Sequence, residues 1–234
     1  MRLALYSYWR SSSSWRVRIG LGLKGLAWEY RAVDLRAGAQ RSSDHRTRNA
    51  MGQVPVLEVE EGGATRHLVQ SMAILEWLDE RFPLPHLLPA DPEGRARVRA
   101  LAEHVNSGIQ PFQTAATLSW LREEQRGLET RWVKHWLAAG LGALEAAVRE
   151  GAGRFCHGDA ITLADVCLVP QLYGARRHGI DLAPLTTLVR VEEACRALEA
   201  FRRAEPDAQP DADPGGGAFG AGLAGASGRR LRRH

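Results

Sequence analysis

Tyr8-Trp9-Arg10-Ser11-Ser12-Ser13-Ser14-Trp15-Arg16-Val17-Arg18-Ile19 is the stretch from which the rest of the chain can be read. An alternating segment carrying Leu3, Leu5, Tyr6 and Tyr8 runs into a cluster of hydroxyls, and the cluster opens a segment of helical character that ends at Lys24-Gly25. The reading is strand, polar turn, helix start. Such a junction turns unpaired backbone N–H groups and serine hydroxyls toward any anion that sits there. A thiolate is one such anion, and a hydroxyl donating to it lowers its pKa by one unit for about 1.4 kcal/mol of interaction. A serine run also suits a polar linker or a simple N-cap, so these residues alone leave both readings open.

Working outward, residues 28–33 alternate apolar and polar side chains as a second strand does. Residues 37–49 are rich in Arg, Ser and Asp and read as a loop with a short helix. Val54-Pro55-Val56-Leu57-Glu58-Val59 reads as a strand, Glu60-Glu61-Gly62-Gly63 as a turn, and residues 65–69 as the hairpin partner. Ser71 begins a helix, with Leu75, Leu78 and Phe82 at spacings of three and four, and a plain N-cap role for Ser71 is compatible with ligand binding. The order βαβ followed by ββα requires a right-handed parallel crossover plus a hairpin, which makes a small mixed sheet flanked by helices.

Residues 84–92, bracketed by prolines, read as a linker between this first domain (residues 1–83) and an all-helical second domain (residues 93–205). Helical patterns cover 95–106, 128–148, 162–173 and 191–201. Thr162-Leu163-Ala164-Asp165 is a capping-box-like start, which makes Asp165 a structural residue, and Pro170 is expected to kink the helix that follows. Residues 206–234 are rich in Pro, Asp, Gly and Ala, end in Arg229-Arg230-Leu231-Arg232-Arg233-His234, and are expected to be a disordered tail.

The composition, 44% hydrophobic and 25% charged over 234 residues, is that of a chain able to bury a sizeable core. Its net charge of +4 comes from arginines spread along the chain rather than gathered in a stripe, which argues against a nucleic-acid partner and for small acidic ligands. Cys156, Cys167 and Cys195 have neither CxxC nor metal-ligand spacing, and no apolar run approaches membrane-spanning length. No metal and no membrane are expected, and a reduced, cytoplasmic setting is.

The run from Ser11 to Ile19 resembles the opening element of the zeta class of glutathione transferases, the class that includes maleylacetoacetate isomerase. Further pieces stand in that family's order: Gln53-Val54-Pro55, Gln70-Ser71-Met72-Ala73-Ile74, Gly108-Ile109-Gln110-Pro111, and Gly158-Asp159 onward to Gln171. The resemblance implies a thioredoxin-like α/β N-terminal domain plus an all-α C-terminal domain, with a cis bond before Pro55, a homodimer, and glutathione as cofactor. It places Ser11, Ser12 and Ser13 around the glutathione sulfur with Ser12 as the principal donor, Val54 against the cysteinyl backbone, Gln70 and Ser71 at the γ-glutamyl end, and Gln40 toward the glycyl end. Arg10, Gln110 and Arg177 fall to the substrate, with Arg177 on a carboxylate.

The activity implied is isomerisation of maleylacetoacetate to fumarylacetoacetate in phenylalanine and tyrosine breakdown. Alternatives are maleylpyruvate isomerase, a general zeta-like transferase, or a non-catalytic interaction module of the same fold. The chain departs from the family pattern in three places. Ser13 stands where several members have cysteine, Val69 where the family has histidine, and Thr114-Ala115-Ala116 where some relatives have Asn-Leu-Ser. Some maleylpyruvate isomerases carry histidine at the position of Gln110 and an arginine pair at Ala115-Ala116, so these residues favour the longer substrate.

Overall fold

Leu3 and Leu5 alternate with Ala4 and Tyr6 along β1 (Arg2–Ser7), and that alternation sets the two faces of the first sheet. The computed structural model describes residues 1–213. After β1 the chain forms α1 (Ser12–Leu23), β2 (Glu29–Ala32), a 3-10 turn at Ala39–Arg41, α2 (Ser43–Arg48), β3 (Val56–Glu61), β4 (Ala64–Val69) and α3 (Ser71–Arg81). The strand order is β2-β1-β3-β4, with β1 parallel to β2 and antiparallel to β3, and β3 antiparallel to β4. This is the thioredoxin-like arrangement expected from the element order, and the Val54-Pro55 peptide is cis.

Leu3, Leu5, Leu57 and Val59 on one sheet face pack against Val17 and Leu21 of α1 and Ile74 and Leu78 of α3. The opposite face is polar. There Glu58 accepts from Arg31 at 2.8 Å and from the Tyr6 hydroxyl at 3.3 Å, and lies 3.0 Å from His67 Nε2. Burial disfavours the Glu58 charge, but His67 and Arg31 outweigh it and hold the carboxyl below its ordinary range. α2 covers this face, with the Arg48 guanidinium 4.7 Å from the Tyr6 ring centroid.

The helical part comprises α4 (Pro92–Asn106), a 3-10 turn at Gln110–Gln113, α5 (Ala115–Glu124), α6 (Leu128–Arg149), α7 (Leu163–Arg177), α8 (Thr186–Arg196) and α9 (Glu199–Ala204). α7 is buried almost throughout, runs past Tyr173 and contains Pro170. At its start Asp165 accepts from the Thr162 backbone N–H at 2.8 Å and from the Cys156 N–H at 2.7 Å, the structural use expected of it. The three cysteines are free and buried.

Trp15 and Ile19 of α1 and Leu75 of α3 belong to the same continuous core as Leu101, Leu137, Leu141, Val166 and Leu172. α1 therefore has the sheet on one side and α7 on the other, and the two domains share it. The segment between the domains is pinned. Lys24 Nζ donates to Asp79 at 2.7 Å and to the Pro85 carbonyl at 2.5 Å, Leu87 N–H donates to Asp79 at 2.8 Å, and Leu87 and Leu88 are buried.

Three sequence expectations are corrected. Gln70 rather than Ser71 occupies the N-cap position of α3, and Ser71 is its first residue. The single helix expected over 191–201 is two, α8 and α9, and α5 was not foreseen. Residues Pro206–Asp213 are ordered: Pro206–Ala208 forms a 3-10 turn, and Gln209 is buried, donating to the Arg203 and Glu205 carbonyls. These contacts offset the ordering entropy that composition alone leaves uncompensated. The remainder of the expected tail, residues 214–234, lies outside the described residues.

Candidate active site

Ser11 caps α1: its hydroxyl oxygen accepts from the Ser14 N–H at 3.2 Å, which leaves Ser12 and Ser13 in the first turn, where backbone N–H groups have no intrahelical partner. That turn opens onto a cleft of about 730 Å³ between the sheet domain and the helices. Arg10, Ser11, Ser12 and Ser13 line it from the β1–α1 junction, Gln40 and Val54 from the segments leading into β3, and Gln70 and Ser71 from the start of α3. Gln110, on the 3-10 turn after α4, and Arg177, at the end of α7, line it from the helical side. The ten residues that the resemblance assigns to cofactor and substrate thus border one cavity.

Several backbone details suit a peptide with two carboxylates. Val54 stands ahead of β3, so its peptide groups lie outside the ladder. Gln70 has φ of 68°, a left-handed conformation rare for a residue with a side chain and one that clusters at ligand sites. α3 begins directly behind it and turns a second helix N-terminus into the cleft. Gln40 has a buried amide oxygen without a hydrogen-bond partner among the described residues. Its loop is held by Gly52, whose φ is 61° and where a Cβ would lie 2.9 Å from the Gln40 carbonyl oxygen. Ser71 Oγ accepts from buried Arg16 at 3.3 Å, which fixes the hydroxyl at the head of α3.

The electrostatics are one-sided. Arg10, Arg41, Arg46, Arg122 and Arg177 line the cleft against Glu129, and Glu129 accepts from Arg122 at 3.0 Å. Burial, and then the positive charge of Arg10, lower the Arg177 pKa. His178, next in the chain, is also lowered, by burial and by Arg177. Arg176 points elsewhere, bidentate on buried Glu192 at 2.6 and 2.5 Å.

Residues 1–80 match the model of the glutathione S-transferase N-terminal domain. Maleylacetoacetate isomerase of Mus musculus is 43% identical over 209 residues, covering 88% of this chain and 94% of its own length. The chain belongs to the zeta-class glutathione transferases, the maleylacetoacetate isomerase family. Maleylpyruvate isomerase of a Ralstonia species is 44% identical over 214 residues, covering 89% and 99%. The crystal structure of maleylacetoacetate isomerase from Anaeromyxobacter dehalogenans, described with glutathione bound in its active site, is 66% identical with a TM-score of 0.86, covering 91% of this chain and 98% of that one. A second structure of that protein is described with dicarboxyethyl glutathione and citrate.

Sequence reading missed other parts of this zeta-class cleft. Tyr8 lies on its wall beside the serine turn, and Arg41 and Arg46 flank Gln40. Tyr8 is buried just beyond the end of β1, and nothing local in the sequence says that this strand ends at a cavity. Arg41 and Arg46 sit in a polar loop whose fold depends on the cleft around it. Among the described residues no helix is long and apolar enough to cross a membrane, and no group of three or more His, Cys, Asp and Glu is placed to hold a metal.

Proposed function

We propose that the protein is a glutathione-dependent isomerase that converts maleylacetoacetate to fumarylacetoacetate, acting as a cytoplasmic homodimer in the breakdown of phenylalanine and tyrosine. One observation carries the reading: a serine-lined helix N-terminus shares a single cleft with two arginines from the two halves of the chain, Arg10 and Arg177. The first is suited to a thiolate and the second to a carboxylate. The family membership and the glutathione described in the Anaeromyxobacter structure support the same assignment.

The residues fit the cofactor. Val54 offers its peptide group to the cysteinyl backbone, Gln70 and Ser71 with the α3 N-terminus take the γ-glutamyl carboxylate, and Gln40 with Arg41 and Arg46 the glycyl carboxylate. Glutathione, once bound there, would supply a nucleophilic thiolate for reversible addition to the conjugated cis double bond of the substrate. Ser12, with Ser11 and Ser13 beside it, stabilises the sulfur charge by donation. A serine hydroxyl is too weak an acid to serve as the base. Arg177 and Arg10 fix the substrate carboxylates, so that rotation takes place about one bond while the remainder of the acid is held. Charge developing on the ketone oxygen meets the positive field of the cleft.

Maleylpyruvate is the second reading, favoured by the Ralstonia relative. Against it, the cleft wall at Gln110, Ala115 and Ala116 carries no charge, and Arg122 on the same helix is engaged by Glu129. An interaction module has no use for arginines from both domains aimed into one cavity. A coupled assay with maleylacetoacetate and with maleylpyruvate, each with and without glutathione, tests the proposal. Turnover of the longer acid that depends on glutathione and exceeds that of the shorter is expected. Faster turnover of maleylpyruvate would transfer the assignment to the second reading, and no glutathione-dependent turnover of either would end it.

A further inference from the structure

Arg18 belongs to the motif that opens the chain, yet it does not reach the cleft. It is 2% exposed, and burial brings its pKa down to about 10, which leaves it charged at neutral pH. Its nitrogens donate to the Trp9 carbonyl at 2.9 Å, the Tyr8 carbonyl at 3.4 Å and Ser7 Oγ at 3.2 Å. The same guanidinium donates twice to the Ala204 carbonyl at the end of α9, at 3.1 and 3.0 Å. Arg18 therefore ties the β1–α1 junction to the end of α9.

The segment after α9 takes hold of the same residue from its other side. Asp211 Oδ2 accepts from the Trp9 backbone N–H at 3.1 Å, and Asp211 Oδ1 accepts from the Tyr30 hydroxyl at 2.5 Å. Ala212 packs against the Tyr8, Trp9, Val33 and Val54 cluster. Farther along, Asp213 pairs with Arg36 at 2.9 Å. Both backbone polar groups of Trp9, its N–H and its C=O, are thus held by side chains anchored to the C-terminal segment. Trp9 immediately precedes Arg10 and the serine turn.

We propose that Asp211 and Arg18 are positioning residues for the active site: together they grip the Trp9 backbone and so set where Arg10 and the Ser11–Ser13 turn stand in the cleft. Neither lines the cleft. The inference rests on the isomerase reading for its catalytic consequence, while the grip on Trp9 stands on geometry alone. An unsatisfied Trp9 N–H and a freed β1–α1 junction let the helix N-terminus and its hydroxyls drift from the sulfur, and a displacement of about 1 Å at such a junction costs catalysis far more than binding.

The test compares Asp211→Ala and the isosteric Asp211→Asn, which keeps one acceptor for Trp9, with Asp213→Ala, which breaks the Arg36 pair without touching Trp9. Three quantities are measured on the full chain: amide hydrogen exchange of the peptide spanning Tyr8 to Ser14, the pKa of enzyme-bound glutathione from its ultraviolet thiolate band, and kcat and KM. For Asp211→Ala the expectation is about tenfold faster exchange in that peptide and a bound-thiol pKa raised by about half a unit or more. kcat is expected to fall about tenfold while KM for glutathione changes by less than about threefold. Asp211→Asn falls between, and Asp213→Ala matches the wild type. Should Asp211→Ala not fold, Asp211→Asn alone decides, by whether it shifts exchange and thiol pKa together.

Unchanged exchange overturns the grip. Faster exchange with unchanged thiol pKa and kcat overturns the positioning role, as do equal effects from Asp213→Ala. If the wild-type protein shows no bound thiolate at all, the isomerase reading fails instead, and the exchange data still decide whether Asp211 holds Trp9.

Discussion

Ser11, Ser12 and Ser13 look interchangeable in the sequence, and the fold separates them. Ser11 is committed to the Ser14 N–H, so Ser11→Ala is expected to lower unfolding free energy by about 1 kcal/mol, the usual loss of a helix cap, as read by denaturant titration. Ser12→Ala is expected to leave stability alone, raise the pKa of bound glutathione and reduce transition-state stabilisation by about 2–4 kcal/mol, read from kcat/KM. Equal pKa shifts from Ser12→Ala and Ser13→Ala would mean that the two hydroxyls share the sulfur. Arg176 and Arg177 divide in the same way. Arg177→Ala is expected to raise KM for the acidic substrate with the thiol pKa unchanged. Arg176→Ala leaves Glu192 buried without its cation and is expected to destabilise the fold by about 2 kcal/mol, with the substrate KM unaffected. Adjacent positions on a helix point about 100° apart, but which arginine faces the cleft depends on α8, which supplies Glu192. That is why the sequence named the cleft residues through their motifs and could not show what their neighbours do.

Element boundaries were legible where caps, prolines or periodic apolar residues mark them, and hidden where a distant residue does the work. Leu121 is the only fully buried position of α5, so that helix shows no apolar stripe to read. The start of α8 has no local cap. Glu145 of α6 accepts from the Thr187 N–H at 3.1 Å and the Leu188 N–H at 2.9 Å in its place. The proline-rich connection reads as a loose linker, yet Lys24 and Asp79 pin it from α1 and α3. Asp79→Ala strips a buried ammonium of its partner and leaves the Leu87 N–H unpaired. The expected loss is about 3–5 kcal/mol, measured by chemical denaturation. A smaller loss would mean that solvent reaches Lys24. The polar sheet face gives a pH dependence of defined sign. Because the Glu58 carboxyl is held below its ordinary value of 4.5, its contribution is complete above that pH and is lost as pH falls through the lower folded value. The stability gap between wild type and Glu58→Gln is therefore expected to be constant near neutrality and to narrow in acid. A gap that widened below pH 4.5 would reverse the sign.

At the scale of the whole molecule, the sheet part and the helical part are held together by one continuous core. Trp15, Ile19 and Leu75 are core residues of the helical part contributed by the sheet part. Near- and far-ultraviolet circular dichroism are accordingly expected to report one coincident thermal transition, and two separated transitions would show that the halves are independent. Truncation is expected to be tolerated after Asp213 and damaging after Glu205, since only the second removes Asp211 from Trp9. The shared helix also bears on how the chain is made. α1 is buried through both of its faces, and the partner for one of them, α7, ends about 150 residues after α1 does. At roughly 5–20 residues per second of synthesis, the newborn sheet domain waits on the order of 10–30 seconds with Trp15 and Ile19 uncovered. During that interval on the ribosome it is a sticky nascent chain, a natural client for whatever shields apolar surface until α7 emerges.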